Sequence, residues 1–468
     1  MPLTYIRKNI AALLLVLGCA WGLPSLCFGE GAGVLPKGVG TFTPTYYHYF
    51  DITERFDPNG KKEDLAVNFN GELDSTVFPL LAPLDNFVPG NASIGELDTK
   101  FTLRYRWFDN DLLYGVTDKL TFKVSIPISY SENRVKAKLR SKSANVGKNA
   151  AFACGQPICP LGVPGTVPLS DEDAQDLIGG GIDVNGDGNV DIPGFGYERF
   201  ESWKQWGIND ISATAKFQYF NNKAWLHAIT GGFRAPTGRI NNPNSLTALG
   251  FGDHTWDLLF RHHTTYLGIE NLNLNILLSY DVQLPDKTRR RVISDANEPI
   301  TANTEKVRRN LGDIFGTEVG VGYAFTPEWG LGARYVYNHK FRDSVDGDKG
   351  FNYSALEDET AWQSHMIIGA LTFSTVNLYF DKKFPLPFDF TVAYRNRLYG
   401  TNNVTVSEYV SFALTLYFKV PYFANNNEKE IEKENDEPDA TAWIKYPALS
   451  GESELEKRKE GEIFVQRY

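Results

Sequence analysis

Long stretches of alternating apolar and polar side chains run through most of this sequence. Between Asn271 and Gln283, apolar residues occupy every even position and polar residues occupy most of the odd ones. The same period of two recurs between Lys119 and Tyr130 and between Phe388 and Tyr399. Because successive side chains of a β-strand point to opposite sides, this pattern predicts strands with one apolar and one polar face.

The predicted strands are too long for an ordinary soluble sheet. They run for ten residues or more, whereas strands of globular proteins centre on about 5–6 residues and a transmembrane β-strand needs about 9–11. Their polar faces carry Arg and Lys, which a dry core could not hold without partners but a water-filled or hydrogen-bonded lumen can. We therefore predict an all-β fold, a transmembrane antiparallel β-barrel that satisfies every backbone group within the membrane.

The alternating runs set the number of strands at about twelve, and ten to fourteen are possible. The runs cover residues 39–51, 99–116, 119–138, 209–220, 224–236, 254–268, 271–284, 312–325, 329–342, 360–381, 388–399 and 405–420. Short turns alternate with long loops, which is typical of a barrel with periplasmic turns and extracellular loops. The longest predicted extracellular loops span about residues 52–96 and 140–205.

Both ends of the sequence differ from the barrel, which is predicted over residues 30–423. Residues 1–29 combine Arg7 and Lys8 with a short apolar run and then small residues, which predicts a secretory signal peptide. A lipoprotein signal and a buried N-terminal helix are the alternatives. Residues 424–468 are polar and dense in charge, which predicts a disordered periplasmic tail. The tail would have no role of its own or would dock to a periplasmic partner.

Charge and aromatic content narrow the class of protein. The formal net charge is −10, with 57 acidic and 47 basic residues, which argues against a basic face for nucleic acid. Aromatic residues make up 13% of the chain, as expected if they form girdles at both membrane interfaces. The expected location is the outer membrane of a Gram-negative bacterium, with membrane lipid and lipopolysaccharide as partners.

Three short segments carry a resemblance to a known family. They are the turn Tyr114–Leu120 with the following Val124–Pro127, the strand opening Gly207–Ile211, and the strand end Phe233–Gly238. Together they resemble the outer-membrane β-barrel transporter family named for the MetA pathway of phenol degradation. The resemblance covers residues 99–240 well and the rest by pattern only. It implies passage of small molecules, aromatic or apolar ones among them, across the outer membrane.

One loop motif predicts a metal site. Its oxygen-bearing residues are Asp183, Asn185, Asp187, Asn189 and Asp191, with Gly188 at the sixth position, as in a calcium loop of the EF-hand type. The twelfth position is Gly194 and not Glu, so Glu198, Asp171 or Asp176 would have to supply the missing carboxylate. We predict a weak, structural Ca²⁺ site in an extracellular loop. The alternative is a turn that is merely rich in Asp, Asn and Gly.

Alternation also assigns charged side chains to the lumen. The basic ones are Arg104, Arg106, Lys123, Lys216, Arg234, Arg261, Arg334, Arg395 and Arg397, and the acidic ones are Asp210, Asp257, Asp281, Glu318 and Asp389. The excess of cations predicts a pore that favours anions. The alternative is a lumen closed by networks of arginine and carboxylate groups. A further basic patch, Arg289–Arg291 with Arg308 and Arg309, would contact lipopolysaccharide phosphates or be solvated.

The remaining reactive side chains do not define an active site. Cys154 and Cys159 would pair in an oxidising compartment and stiffen a loop. A third hypothesis is an outer-membrane hydrolase that uses His254, His262 or His263, but the sequence shows no motif that pairs a nucleophile with these histidines. We therefore expect no enzymatic activity and predict a porin or facilitated transporter for small molecules, aromatic or anionic ones included. The main alternative is a closed barrel whose loops and tail bind a partner.

Overall fold

The computed structural model describes residues 31–294 and 300–419 of the chain. Its main sheet is closed, because the first barrel strand pairs with both the second and the last. All strand pairs around the ring are antiparallel. The twelve-stranded barrel that the alternation predicts is therefore confirmed. The predicted signal peptide, residues 1–29, and the predicted tail, residues 424–468, lie outside the described residues.

Twelve strands form the barrel wall, and the fourth is split into two segments. They are β1 Val39–Tyr49, β2 Ser93–Thr117, β3 Leu120–Arg140, β4 Trp203–Ile208 with Ile211–Asn221, β5 Trp225–Ala235, β6 Asp257–Ile269, β7 Leu272–Gln283, β8 Ile314–Ala324, β9 Trp329–Lys340, β10 Trp362–Ser374, β11 Phe388–Gly400 and β12 Glu408–Lys419. Most hold 11 to 13 residues, but β2 holds 25 and β3 holds 21. The β2–β3 hairpin thus projects well beyond its neighbours.

The connections differ sharply between the two ends of the barrel. Short turns join β2 to β3, β4 to β5, β6 to β7 and β8 to β9, whereas every connection at the opposite end except that between β11 and β12 is long. The two described helices are α1 Asp171–Ile178, in the loop after β3, and α2 Val376–Phe380, in the turn after β10. The predicted strand 360–381 was too long, because the chain leaves the sheet at Ser374 and enters α2. No helix among the described residues is long and apolar enough to cross a membrane.

The long loops build a folded crown from small elements. Its short strands are Glu54–Phe56, Lys62–Asp64, Gly71–Asp74, Val146–Lys148, Ile158–Pro160, Gly181–Ile182, Ile192–Pro193, Asp286–Arg291, Thr304–Asn310 and Ser344–Asp346, and its 3₁₀ turns are Val67–Phe69, Pro79–Phe87, Ser141–Ser143 and Tyr353–Leu356. Buried Phe78, Leu81 and Leu177 belong to its largest apolar cluster. The crown therefore has a core of its own.

The outer wall is apolar where the membrane would surround it. On β3, Phe122, Val124 and Ile126 are exposed, while the alternate Ser125 and Ser129 are buried inside. The same arrangement holds on β7, where Leu274, Ile276 and Leu278 point outward. An apolar outside and a polar inside are the reverse of a soluble barrel and match a membrane-spanning one.

This polarity reverses on β2 as the strand leaves the membrane. Phe101, Leu103 and Tyr105 are buried against the crown, and Trp107 is buried against Tyr47 and Tyr409 of the wall. The alternate Arg104 and Arg106 lie on the outer side. The prediction that Arg104 and Arg106 face the lumen is therefore wrong. Above the membrane the outer side faces water and the inner side packs against loops, so the charged residues change sides.

The barrel closes between its first and last strands with a close contact. Gly40 of β1 lies opposite Phe418 of β12. A Cβ atom at position 40 would come within 2.4 Å of the Phe418 ring. Glycine at this position lets the aromatic side chain of the last strand lie across the first strand, which favours closure in this register.

Candidate functional site

The interior of the barrel holds a segment of the chain that precedes β1. Within residues 31–38, the backbone N–H of Ala32 donates to Thr265 Oγ1 at 2.9 Å, and the Ala32 carbonyl accepts from Gln218 Nε2 at 2.9 Å. Thr265 and Gln218 are buried residues on the inner faces of β6 and β4. The chain therefore runs inside the wall at the end that bears the short turns.

Two more hydrogen bonds fasten this segment, which we call the inner segment. Lys216 Nζ donates to the Gly31 carbonyl at 3.1 Å, and the backbone N–H of Leu35 donates to Thr121 Oγ1 at 2.8 Å. Ala32 is fully buried and packs against Leu226 and Ala228. Sequence reasoning missed this feature, because small and apolar residues next to a predicted signal peptide carry no alternating pattern.

A buried charge network crosses the inner faces of three neighbouring strands. Arg234 of β5 pairs with Asp257 of β6 at 2.6 Å and with Asp281 of β7 at 3.3 Å. Arg261 of β6 pairs with the same Asp281 at 2.5 Å. All four side chains are at most 2% exposed. The charges of Arg234 and Arg261 are thus balanced by carboxylates of the barrel wall.

The other inner-face cations also have partners. Lys123 contacts Asp111 at 3.0 Å, and Arg334 contacts Glu318 at 3.5 Å. Each of these pairs couples neighbouring strands. Asp111 and its neighbour Asp109 were missed by sequence reasoning, although both follow the same alternation as the inward-facing Trp107.

Arg395 and Arg397 of β11 bind neutral groups. An Arg397 N–H donates to the Thr405 carbonyl at 2.6 Å, and an Arg395 N–H donates to Ser407 Oγ at 3.1 Å. The Arg395 guanidinium also lies 4.5 Å from the centre of the Tyr409 ring, a distance at which cation–π attraction operates. Both arginines therefore hold the connection between β11 and β12 in place.

The resemblance motifs meet where β4 is split. The Asn209 amide donates to the Phe251 carbonyl at 2.8 Å, and Asp210 Oδ1 accepts from the Gly238 backbone N–H at 2.8 Å. Asn209 and Asp210 are fully buried. They lie between the two segments of β4 and tie the loop after β5 to the wall. The predicted lumen residue Asp389 also lies on an inner face, where it accepts the Tyr417 hydroxyl at 2.7 Å.

A cavity of about 170 Å³ lies at the crown end of the barrel. Much of its lining is aliphatic, namely Ile240, Ile293, Leu311, Val345 and Leu356. Charged groups also reach it, and two of them are paired: Arg309 with Asp286 at 2.9 Å, and Lys340 with Asp343. Eight of its nineteen lining residues are charged, so the cavity joins aliphatic surface to charged side chains.

The predicted calcium loop forms a tight turn. Asp183 accepts the backbone N–H groups of Gly186 and Gly188 at 2.7 and 2.8 Å, and Asp187 accepts that of Asn189 at 2.8 Å. Asp191 accepts the Val184 N–H at 2.8 Å, and the Asn185 amide donates to Asp187 at 3.2 Å. In the part of the chain that the structure describes, no three Asp, Glu, His or Cys side chains are grouped to hold a metal. Calcium binding stays a prediction.

The cysteines and histidines occupy separate places. Cys154 and Cys159 form a disulfide in the loop after β3. His263 is buried on the inner face of β6, 2.9 Å from Thr230 Oγ1, whereas His262 points outward, 2.9 Å from the Tyr219 hydroxyl. His254 lies in the crown, 3.5 Å from Asp286. The three histidines thus do not share one site.

A closed antiparallel barrel with an apolar outer band and a polar interior defines an outer-membrane β-barrel of Gram-negative bacteria. The short turns then face the periplasm, and the crown faces the outside of the cell. The family described as the MetA-pathway of phenol degradation matches residues 168–402. The chain belongs to this family.

Solved structures with a similar barrel share little sequence. An outer membrane channel of Pseudomonas putida F1 is 12% identical with a TM-score of 0.47, covering 84% of this chain and 100% of that one. A FadL homologue of Pseudomonas aeruginosa is 8% identical with a TM-score of 0.31, covering 82% and 90%. The toluene transporter TbuX of Ralstonia pickettii is 10% identical with a TM-score of 0.33, covering 82% and 90%. Among curated proteins, none matches this chain.

Proposed function

We propose that this barrel is a gated channel for small, mainly apolar molecules of about the size of one aromatic ring. The observation that carries the proposal is the inner segment, which lies inside the barrel without being part of its wall. A segment that occupies the lumen can close the channel, and its release from the wall would open it.

The contacts of the inner segment suit reversible closure. Four hydrogen bonds hold residues 31–36 of the segment, and each would contribute about 1 kcal/mol. Burial of its apolar side chains, Val34 and Leu35, adds to the closed state. The wall that it covers is rich in hydroxyl and amide groups, including Thr121, Gln218 and Thr265. Those groups can exchange their bonds to the segment for bonds to water.

The crown cavity supports the size and polarity of the solute. At about 170 Å³ it is slightly larger than the roughly 150 Å³ aliphatic cavity that accommodates benzene in another protein. Its aliphatic lining favours an apolar ring, and the nearby charges can meet one polar substituent. The inner arginines are paired or hydrogen-bonded, so the anion-favouring pore predicted from the sequence receives less support.

The test compares the chain with and without residues 31–36, both refolded into planar bilayers. We expect the shortened chain to conduct ions several times better, because its lumen loses the inner segment while Lys37 and Gly38 keep their bonds to the wall. A chain shortened instead by residues 424–468 is the control. Equal, low conductance of all three barrels, each shown to be folded by heat-modifiable migration, would favour the closed partner-binding barrel.

A further inference from the structure

The projecting β2–β3 hairpin leaves the membrane at a belt of aromatic side chains. Trp206 of β4 lies 5.3 Å from Tyr130 and 6.1 Å from Phe108, measured between ring centres. All three point outward, and apolar outward residues such as Ile126 and Phe122 follow on the periplasmic side. Such belts mark the interface between the hydrocarbon and the polar headgroups.

At this belt and beyond it, the outer side of the sheet is strongly basic. The outward cations are Lys100, Arg104 and Arg106 of β2, Arg134, Lys136, Lys138 and Arg140 of β3, and Lys204 of β4. We call this surface the basic ridge. Among the described residues, its eight cations face five acids, Asp51, Glu72, Glu96, Asp98 and Glu132. The ridge thus keeps a net positive charge in a protein whose overall charge is −10.

The register of the hairpin places like charges side by side. Lys100 lies directly opposite Lys136, an arrangement that destabilises a sheet unless an anion lies nearby. Among the described residues, Lys100, Lys136 and Lys138 form no salt bridge. Arg134 contacts Glu132 at 2.5 Å but is half exposed. Several donors of the ridge are therefore available to an external anion.

The basic patch that the sequence suggested for lipopolysaccharide is different. Arg308 pairs with Asp346 and Asp348, and Arg309 pairs with Asp286. Arg291 is buried and donates to the carbonyls of crown residues. Most of that patch serves the fold of the crown, so the uncompensated charge next to the membrane lies on the basic ridge.

We propose that the basic ridge binds the phosphate groups of lipopolysaccharide in the outer leaflet. Arg106 lies directly opposite Tyr130 of the belt and one outward position, about 7 Å, beyond Phe108, at the level of the phosphates on the lipid anchor. Lys100 and Lys136 lie about 20–27 Å beyond the belt along their strands, where the phosphates of the inner core sugars lie. Guanidinium groups bind phosphate through paired N–H donors. The contact is separate from solute passage and would orient the crown on the membrane surface.

The test measures binding of rough lipopolysaccharide, with its lipid A and inner core phosphates intact or enzymatically removed, to the detergent-solubilised full chain by native mass spectrometry. We expect the protein to prefer the phosphorylated lipid. The variant K100Q/R134Q/K136Q should bind the phosphorylated lipopolysaccharide about a hundredfold more weakly, because each of its three lost cations contributes about a factor of five near an anionic membrane surface. The variant K61Q/K62Q changes two exposed lysines of the same crown away from the ridge and is the control.

The expected pattern is weaker binding of phosphorylated lipopolysaccharide by the ridge variant alone, with binding of the dephosphorylated form unchanged in all three proteins. Heat-modifiable migration establishes that each barrel is folded. Equal binding of both lipids by the parent chain, or equal loss in the control variant, would overturn the proposal. Preference of the ridge for a nucleic acid or an acidic peptide over phosphorylated lipopolysaccharide would do the same.

Discussion

Arg234 and Asp257 form an ion pair at 2.6 Å in which both side chains are completely buried inside the barrel. The pair joins β5 to β6, and Asp281 extends it to β7. A buried pair of this kind contributes less through its own attraction than through the penalty for breaking it. The network therefore makes the register of these three strands sensitive to any single loss of charge.

We predict that Asp257→Ala lowers the free energy of unfolding by about 3–5 kcal/mol, since it leaves a buried guanidinium without its nearest partner. Urea unfolding of the refolded barrel in lipid vesicles measures the change. The double variant Arg234→Met with Asp257→Leu should recover much of the loss. The exposed pair Lys383–Asp381 is the control, and Asp381→Asn should change stability by about 0–1 kcal/mol. Equal effects at both sites would contradict the prediction.

Filling the crown cavity should impair uptake of a small aromatic solute. Leu311 is buried and lines the cavity, so Leu311→Phe adds volume where the solute would lie. We expect slower uptake of labelled toluene by cells that carry this barrel as their main channel. The variant Leu311→Met keeps the volume nearly constant and should transport like the parent. Unchanged uptake in Leu311→Phe, at equal barrel content in the membrane, would show that the solute does not pass through the cavity.

The alternation of side chains was sufficient to predict the barrel, its twelve strands and the side on which the long loops lie. It fails at Arg104 and Arg106, where the strand continues above the membrane. The adjacent apolar residues Trp107 and Phe108 mark the change, because the first belongs to the inward series and the second to the outward one. A shift of the apolar residues from odd to even positions within an unbroken strand is thus the sequence signal for the membrane boundary.

Other features could not be predicted because they depend on contacts distant in sequence. The inner segment is fastened by Thr265, which lies 233 residues from Ala32. The pairing of Arg234 with Asp281 depends on the register of three strands, which alternation alone does not fix. The crown cavity is lined by four different loops, whose relative placement follows from the closed barrel.

Calcium should protect the loop between Asp183 and Asp191 from proteolysis if the predicted site forms. We expect elastase, which cleaves after small aliphatic residues such as Val184 and Val190, to cut the segment 179–195 more slowly with millimolar calcium than with a chelator. The variant Asp183→Asn with Asp187→Asn should be cut at one rate under both conditions, because it lacks two of the three carboxylates. Asp98→Asn, outside the loop, is the control. Equal cleavage of the parent chain with and without calcium would show that the loop is only a turn.

The order of the α1 loop should depend on acid pH through Asp173. Burial of this carboxyl raises its pKa, but the hydrogen bonds from Lys148 at 2.8 Å and from Ser170 at 2.7 and 2.8 Å outweigh burial, so the pKa lies below its usual value. Because the pKa is lower in the folded loop, the ionised carboxyl stabilises that loop, and this stabilisation is fully present above the unfolded pKa of about 3.9. The stabilisation is lost as the pH falls through the folded pKa. Hydrogen exchange of α1, corrected for intrinsic rates, should therefore speed up in the parent below about pH 4 and change less in Asp173→Asn. The same acid response in both proteins would assign the effect to another group.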